Sequence, residues 1–250
     1  MLKVRIIPCL DIIKNKVVKG VKFKNIKTLG DPVLFAKKYS DSGADEICML
    51  DITASHEKRK TFLKTVEAIA KVIDIPLTVG GGVSQLNDIT TLLNAGADKI
   101  SINTAAVLNP NLIKKASIKH GSQCIVVAID GKRHNKKMIV TIKGGREKTD
   151  KTLINWAKKM QAFGAGELLV TSMDTDGVQK GFDKEMLKLI NKEVTIPVIA
   201  SGGVGKLRHF IEGYETNSSG LLAASVFHTS KYSITKVKNY LKRNKIPVRL

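Results

Sequence analysis

Apolar residues in this chain gather into short unbroken runs, and the runs alternate with stretches in which apolar positions recur every three or four residues. A run of four to eight apolar residues bounded by turn chemistry reads as a strand buried on both faces, and the longer period reads as an amphipathic helix. Strands are predicted near Val4–Asp11, Glu46–Asp51, Leu77–Gly81, Lys99–Asn103, Cys124–Asp130, Glu167–Ser172, Val198–Gly202 and Gly220–Ala224. Helices are predicted near Asp31–Ser42, Thr61–Val72, Gln85–Ala95, Pro110–Lys119, Lys151–Phe163, Lys184–Asn191, Leu207–Tyr214 and Ser233–Lys242. Eight strand–helix pairs with short connections predict an α/β fold in which a parallel sheet closes on itself, a (β/α)8 TIM barrel. An open doubly wound sheet rarely repeats so evenly.

The pattern also repeats within the chain. Leu77-Thr-Val-Gly-Gly-Gly82-Val83 returns as Val198-Ile-Ala-Ser-Gly-Gly203-Val204, 121 residues later. Each is followed by a helix and then a strand ending in small residues, Ser101-Ile-Asn-Thr104 in the first and Leu222-Ala-Ala-Ser225 in the second. The chain reads as one domain, 1–250, made of two homologous half-barrels of roughly 1–120 and 121–250. Two segments interrupt the alternation: Ile13 to Leu29, rich in Lys and Gly, and Gly131 to Thr149, with a β-like run at Lys137–Lys143 before Gly144-Gly145-Arg146. Each follows an aspartate-terminated strand. They read as loops at the catalytic face, lids or else ordinary insertions.

The candidate chemistry sits at the strand ends. Asp11 and Asp130 close strands one and five, where parallel α/β folds carry their reactive groups. A lone aspartate there often only caps a turn. Two related by the repeat point to a general acid/base pair on opposite sides of one barrel mouth. Glycine turns at Gly80-Gly81-Gly82 and Ser201-Gly202-Gly203 let an anion approach backbone N–H groups, and Asn103-Thr104 and Ala224-Ser225 add donors from the neighbouring strands. Two such sites predict a long bisphosphorylated small-molecule substrate. Asp176 is either a third carboxylate or a loop-shaping residue, and Lys19 either closes over an anion or lies in solvent. At the opposite rim Arg5, Glu46, Lys99 and Glu167 all point inward by strand alternation. Buried charges must pair, so the four form a salt-bridged ring, a plug or a gate into the barrel axis.

Composition narrows the classes. No run approaches the roughly 18 apolar residues of a membrane span, and the N-terminal apolar stretch is broken by Asp11 too early for a signal-peptide core. Cys9, Cys48 and Cys124 fall inside predicted strands with no metal-ligand spacing, as reduced core thiols of a cytoplasmic protein do. The net charge of +20 raises nucleic-acid binding. The lysines, however, are spread over nearly every helix with no basic stripe interleaved with aromatics. A field that draws in an anionic small molecule accounts for the charge equally well.

Taken together, Cys9-Leu10-Asp11, Asp51-Ile-Thr-Ala-Ser55, Thr78-Val-Gly-Gly-Gly82, Ser101-Ile-Asn-Thr-Ala-Ala106, Val127-Ala-Ile-Asp130 and Ala200-Ser-Gly-Gly203 closely resemble the cyclase subunits of imidazole glycerol phosphate synthase. The resemblance covers essentially the whole chain. It implies a barrel on whose bottom face a class I glutaminase docks as heterodimer partner, releasing ammonia into the axis. At the top, ammonia reacts with the ketose of the ribonucleotide PRFAR, and elimination and ring closure give imidazole glycerol phosphate and AICAR. It further implies Asp11 and Asp130 as the acid/base pair, and Gly81, Gly82, Asn103, Thr104, Asp176, Gly177, Gly202, Gly203, Ala224 and Ser225 as substrate-binding positions. Lys19 would lie on the mobile lid, and Arg5, Glu46, Lys99 and Glu167 would form the ammonia gate. Asp98 and Gln123 would face the glutaminase. No cofactor, metal, nucleic acid or membrane is implied.

Three segments depart from the family pattern: Asp174-Thr175-Asp176, where the middle position is often basic, Val178-Gln179-Lys180-Gly181, and Asn217-Ser-Ser-Gly220, where Gly-Ala-Asp-Ala is usual. They bear on the second phosphate site. The alternatives are a paralogous ammonia-dependent barrel acting on another acceptor such as a nucleotide sugar, the related isomerase of the same pathway, and a scaffold that only activates a glutaminase. The charged ring and Asp51-Ile-Thr-Ala-Ser55 favour the cyclase over the isomerase, and intact Asp11 and Asp130 speak against an idle scaffold.

Overall fold

The computed structural model describes residues 3–21, 24–52, 63–135 and 137–250. Thr53-Ala54-Ser55 of the strand-two motif and the start of the predicted helix at Thr61 lie outside the described residues. Among the described residues the strands are β1 (Arg5–Ile13), β2 (Lys16–Val21), β3 (Lys24–Gly30), β4 (Ile47–Asp51), β5 (Leu77–Gly80), β6 (Lys99–Ile102), β7 (Ile125–His134), β8 (Lys137–Ile142), β9 (Glu147–Thr152), β10 (Glu167–Ser172), β11 (Val198–Ser201) and β12 (Gly220–Ala223). The helices are α1 (Pro32–Asp41), α2 (Leu63–Ala70), α3 (Leu86–Asn94), α4 (Thr104–Leu108), α5 (Asn111–His120), α6 (Leu153–Ala162), α7 (Lys184–Glu193), α8 (Arg208–Tyr214), α9 (Ser225–His228) and α10 (Ile234–Arg243).

Eight of the strands pair in parallel around a closed ring, β1-β4-β5-β6-β7-β10-β11-β12 and back to β1. This is the (β/α)8 barrel expected from the alternation. Strand residues of one parity turn outward and bury Ile6, Leu10, Ile47, Ile100, Ile129 and Leu168 against the helices. The other parity fills the barrel with a separate, smaller cluster of Ile7, Cys9, Cys48, Val126, Leu169, Ile199 and Leu222. Below that apolar layer lies the charged rim and above it the mouth. No helix among the described residues is long and apolar enough to cross a membrane.

The two segments read as irregular loops are antiparallel hairpins. β2 and β3 fold back on the end of β1, with Ile12 opposite Val17. β7 runs past Asp130 to His134, and β8 returns along it with Asp130 opposite Thr141 before β9 adds a third strand. β2 and β8 bury only short stretches, Val17–Val18 and Val140–Ile142, and β9 buries none of its residues, so the apolar pattern of the hairpins is broken. Two short helices, α4 and α9, are too brief to show a period and were not foreseen. Cys124 lies not within the strand but in a 3-10 turn ahead of it, and is only partly buried. Asn217-Ser-Ser-Gly220 leads into the first residue of β12, at the bottom rim. The departure there does not touch the mouth.

Candidate active site

A cavity of about 650 Å³ opens at the C-terminal ends of the barrel strands. Asp11, Lys19, Gly81, Gly82, Asn103, Thr104, Asp130, Asp176, Gly177, Gly202, Gly203, Ala224 and Ser225 all line it. Every mouth residue expected from the sequence is therefore brought to one place. Asp11 and Asp130 stand on the first and fifth strands of eight, opposite each other across the mouth.

Their surroundings differ. The buried Asp11 carboxylate accepts from Lys19 Nζ at 2.9 Å and from the Cys9 thiol at 3.4 Å. Lys19 reaches it from β2, so the hairpin brings the cation over the strand end. Burial works against the Lys19 charge, but Asp11 and then Asp176 outweigh it and leave the ammonium held above its ordinary value. Asp130 pairs with no cation among the described residues. Burial pushes its carboxyl up to about 7; the hydrogen bond from Asn103 Nδ2, at 2.9 Å, pulls the other way, and the Asp176 charge adds to the rise. Asp176 is itself raised, by burial first, with Lys19 opposing.

The glycine turns follow β5 and β11, the third and seventh strands. Gly81 adopts φ 93°, and a Cβ there would lie 2.3 Å from the Asp51 carbonyl oxygen. Gly203 adopts φ 101°, and its Cβ would lie 2.0 Å from the Gly181 carbonyl oxygen. Only glycine fits either position. Beside each turn a short helix starts at the mouth, α4 at Thr104 and α9 at Ser225, so free backbone N–H groups and small side chains converge twice, on opposite sides. Thr175, the departure from the family pattern in the loop after β10, bonds the Gly202 carbonyl through Oγ1 at 3.4 Å and joins that loop to the second turn.

Several residues that the sequence places within these motifs, without a binding role of their own, also line the mouth. Ser101, Thr171 and Ser201 share the inward parity of Asn103, Leu169 and Ile199, and that alternation was the signal that could have given them that role. Lys143 and Gly144, in the β8–β9 turn, line the mouth as well, and Lys143 N donates to Thr104 Oγ1 at 3.1 Å. Above the mouth Arg133 forms a bidentate pair with Asp183, the N-cap of α7, and also reaches Glu185 at 2.9 Å. Its backbone N–H donates to Asp174 at 2.9 Å. Asp183 takes a further bond from Ser172 Oγ at 3.1 Å. The loop holding Asp176 and Gly177 is thus fastened to the hairpin.

At the other end of the axis the predicted ring is assembled. Arg5 bonds Glu46 at 2.7 Å and pairs with Glu167, and Lys99 bonds Glu46 at 2.9 Å and Glu167 at 2.8 Å. Thr78 Oγ1 adds a 2.6 Å bond to Glu46. Desolvation would lower the Arg5 pKa, but the hydrogen bond and charge of Glu167, then Glu46, raise it. Asp98 and Gln123 are exposed on the same face, Asp98 accepting from Leu77 N at 2.8 Å. Among the described residues no group of three or more His, Cys, Asp or Glu is placed to hold a metal ion.

Comparison with known proteins agrees with this geometry. A family model described as "Histidine biosynthesis protein" matches residues 5–233. The chain is 54% identical to the imidazole glycerol phosphate synthase subunit HisF of Endomicrobium trichonymphae, over 100% of this chain and 96% of that protein. It is 53% identical to the protein of the same name from Clostridium botulinum (strain Okra / Type B1), over the full length of both. It is 52% identical to the one from Campylobacter concisus (strain 13826), over 98% of each.

Proposed function

The chain belongs to the histidine biosynthesis protein family, and we propose that it is the cyclase of an imidazole glycerol phosphate synthase. Ammonia adds to the ketose carbonyl of PRFAR, water leaves to form an imine, and elimination with ring closure yields imidazole glycerol phosphate and AICAR. The observation that carries this reading is a pair of unlike carboxylates facing each other between two glycine-lined anion cradles in a mouth of about 650 Å³.

Asp130, pushed up to about 7, holds a proton in part of the population near neutrality and serves as the acid toward the departing oxygen. Asp11, ion-paired with Lys19, serves as the proton acceptor. Gly81, Gly82, Asn103 and Thr104 take one phosphate, and Gly177, Gly202, Gly203, Ala224 and Ser225 the other. Asp176 borders both carboxylates and Lys19. No cofactor enters the reaction.

Ammonia reaches the mouth along the axis through the ring of Arg5, Glu46, Lys99 and Glu167. It comes from a class I glutaminase docked on the bottom face as a heterodimer partner, where Asp98 and Gln123 are exposed. The enzyme works in the cytoplasm. Each half of the barrel begins with a long strand carrying a back-folded hairpin, β1 with β2 and β3, β7 with β8 and β9, which supports descent from two half-barrels. The test is a spectrophotometric assay of the purified chain alone with PRFAR and excess ammonium salt at alkaline pH. Appearance of AICAR and imidazole glycerol phosphate is expected. Absence of turnover by well-folded protein overturns the assignment in favour of another acceptor.

A further inference from the structure

Four segments reach the foot of the barrel in one manner. Gly43-Ala-Asp45, Gly96-Ala-Asp98, Gly164-Ala-Gly166 and Asn217-Ser-Ser219 precede the second, fourth, sixth and eighth barrel strands. The first residue of each turns at positive φ, 83°, 103°, 95° and 65°. The third donates its N–H to the carbonyl of the preceding strand: Asp45 to Ile6, Asp98 to Leu77, Gly166 to Ile125 and Ser219 to Val198. The residue after that faces the axis, and in order these are Glu46, Lys99, Glu167 and Gly220. Three seats of a fourfold layer carry a charge, and the fourth carries no side chain.

Arg5 shares the vacancy with Ile7 Cδ1 and Ile199 Cγ1, which a Cβ on Gly220 would meet at 2.9 and 3.1 Å. Arg5 is the register partner of Gly220 on the adjoining strand β1, and a Cβ on Gly220 would lie 3.3 Å from its Nη2. That same nitrogen donates to Ser219 Oγ at 3.1 Å, while the serine hydroxyl has the Val198 carbonyl as its own acceptor at 3.2 Å. Lys99 is held by two carboxylates across the ring. Arg5 is held by the same two and, from the wall side, by one neutral hydroxyl.

We infer that Ser219 and Gly220 form the seat of Arg5, the Ser219 hydroxyl holding the guanidinium toward the barrel wall and so setting how far the ring closes across the axis. The inference deepens the proposed role of the ring as the ammonia inlet and rests on it. Without the hydroxyl, Nη2 is left to the carboxylates alone, the guanidinium is drawn inward and the passage narrows. Ammonia arriving from a partner below is then held back and lost to solvent, whereas ammonium salt entering from the mouth is unaffected. Ser219 is a positioning residue, acting through Arg5.

The experiment compares wild type, Ser219→Ala, Ser219→Thr and Ser218→Ala in the glutaminase complex. It measures glutamine hydrolysed per imidazole glycerol phosphate formed, beside turnover driven by ammonium salt. Ser218 Oγ bonds Thr216 at 2.8 Å and Asn191 at 3.3 Å and serves as control. Loss of a hydrogen bond to a charged group predicts a ratio about threefold or more above wild type for Ser219→Ala, with ammonium-driven turnover within about twofold. Ser219→Thr and Ser218→Ala stay near wild type. An unchanged ratio, or a parallel loss with both nitrogen sources, overturns the seat. A second readout needs no activity: nitrogen-15 spectra of the guanidinium groups, with Arg5 assigned through Arg5→Lys. Faster exchange of the Arg5 Nη hydrogens in Ser219→Ala supports the seat, and an unchanged spectrum rejects it. Failure of wild type to turn over PRFAR with ammonium, while the spectra change, tells against the enzyme assignment instead.

Discussion

Asp130 places function and stability in opposition. Its carboxyl titrates near 7 in the folded chain against 3.8 as the ordinary value, so the native state binds the proton more tightly than the unfolded one. The sign follows from linkage: this group favours folding at low pH, its contribution fades as pH rises from about 4 to 7, and above that the buried charge is a standing cost. A gap of about three units sets that cost at about 4 kcal/mol at most, lowered by contact with cavity water. Asp130→Asn is therefore expected to raise the melting temperature at pH 8 by several degrees and at pH 5 by less than half as much. Equal shifts at both pH values would count against a strained carboxyl. The same variant, like Asp11→Asn, is expected to abolish product formation with ammonium while folding is retained. Near-normal turnover by either would sink the acid/base assignment. Beneath Asp11 the Cys9 thiol is also held well above its ordinary value, by the Cys48 contact first and by burial next.

At the scale of elements, the parts buried on both faces could be read from the sequence and the parts above the barrel could not. Val126, Val127 and Ile129 sit in a parallel sheet covered outside by helices and inside by its own lumen, so the run is apolar throughout and its end at Asp130 stands out. The outermost strand of the second hairpin has no such cover. Glu147–Thr152 carries five charged or hydroxyl-bearing residues in a row before its last threonine, and only tertiary pairing with β8 makes it a strand. The family resemblance puts Asn217 among the departures that bear on the second phosphate site. Asn217 instead serves the barrel foot, where a side chain tolerant of positive φ replaces glycine. The fastening of the loop after β10 was likewise invisible, since Arg133 and Asp183 are fifty residues apart. Replacing Arg133 by Ala keeps the backbone bond to Asp174 but removes the side-chain tie at the far end of the loop that carries Asp176 and Gly177, and leaves buried Asp183 short of its cation. Misplacement of binding groups on that scale predicts a KM for PRFAR about tenfold higher, with a smaller change in kcat. Steady-state kinetics within twofold of wild type on both parameters would show that the loop holds its place without the arginine.

For the molecule as a whole, the two ends of the barrel divide the electrostatic work. The ring at the foot is balanced, two cations against two carboxylates, and suits passage of an uncharged molecule. The mouth receives a substrate with two phosphates, and the chain around it carries a net +20. That excess is spread over the helices, as Lys37, Lys64, Lys114, Lys158, Lys184 and Lys236 illustrate, so it acts as a field over the surface and not as a binding stripe. Such a field raises the encounter rate of a polyanion by tenfold or more at low salt and is screened once the Debye length falls to about 8 Å. Accordingly kcat/KM for PRFAR is expected to fall several-fold between about 20 and 300 mM sodium chloride at fixed low ammonium, with kcat at saturation unchanged. Loss of kcat in step with kcat/KM would point to salt acting on the folded site itself. A flat kcat/KM would mean that capture in the glycine cradles, not approach, limits the reaction, and the charge would then need another explanation.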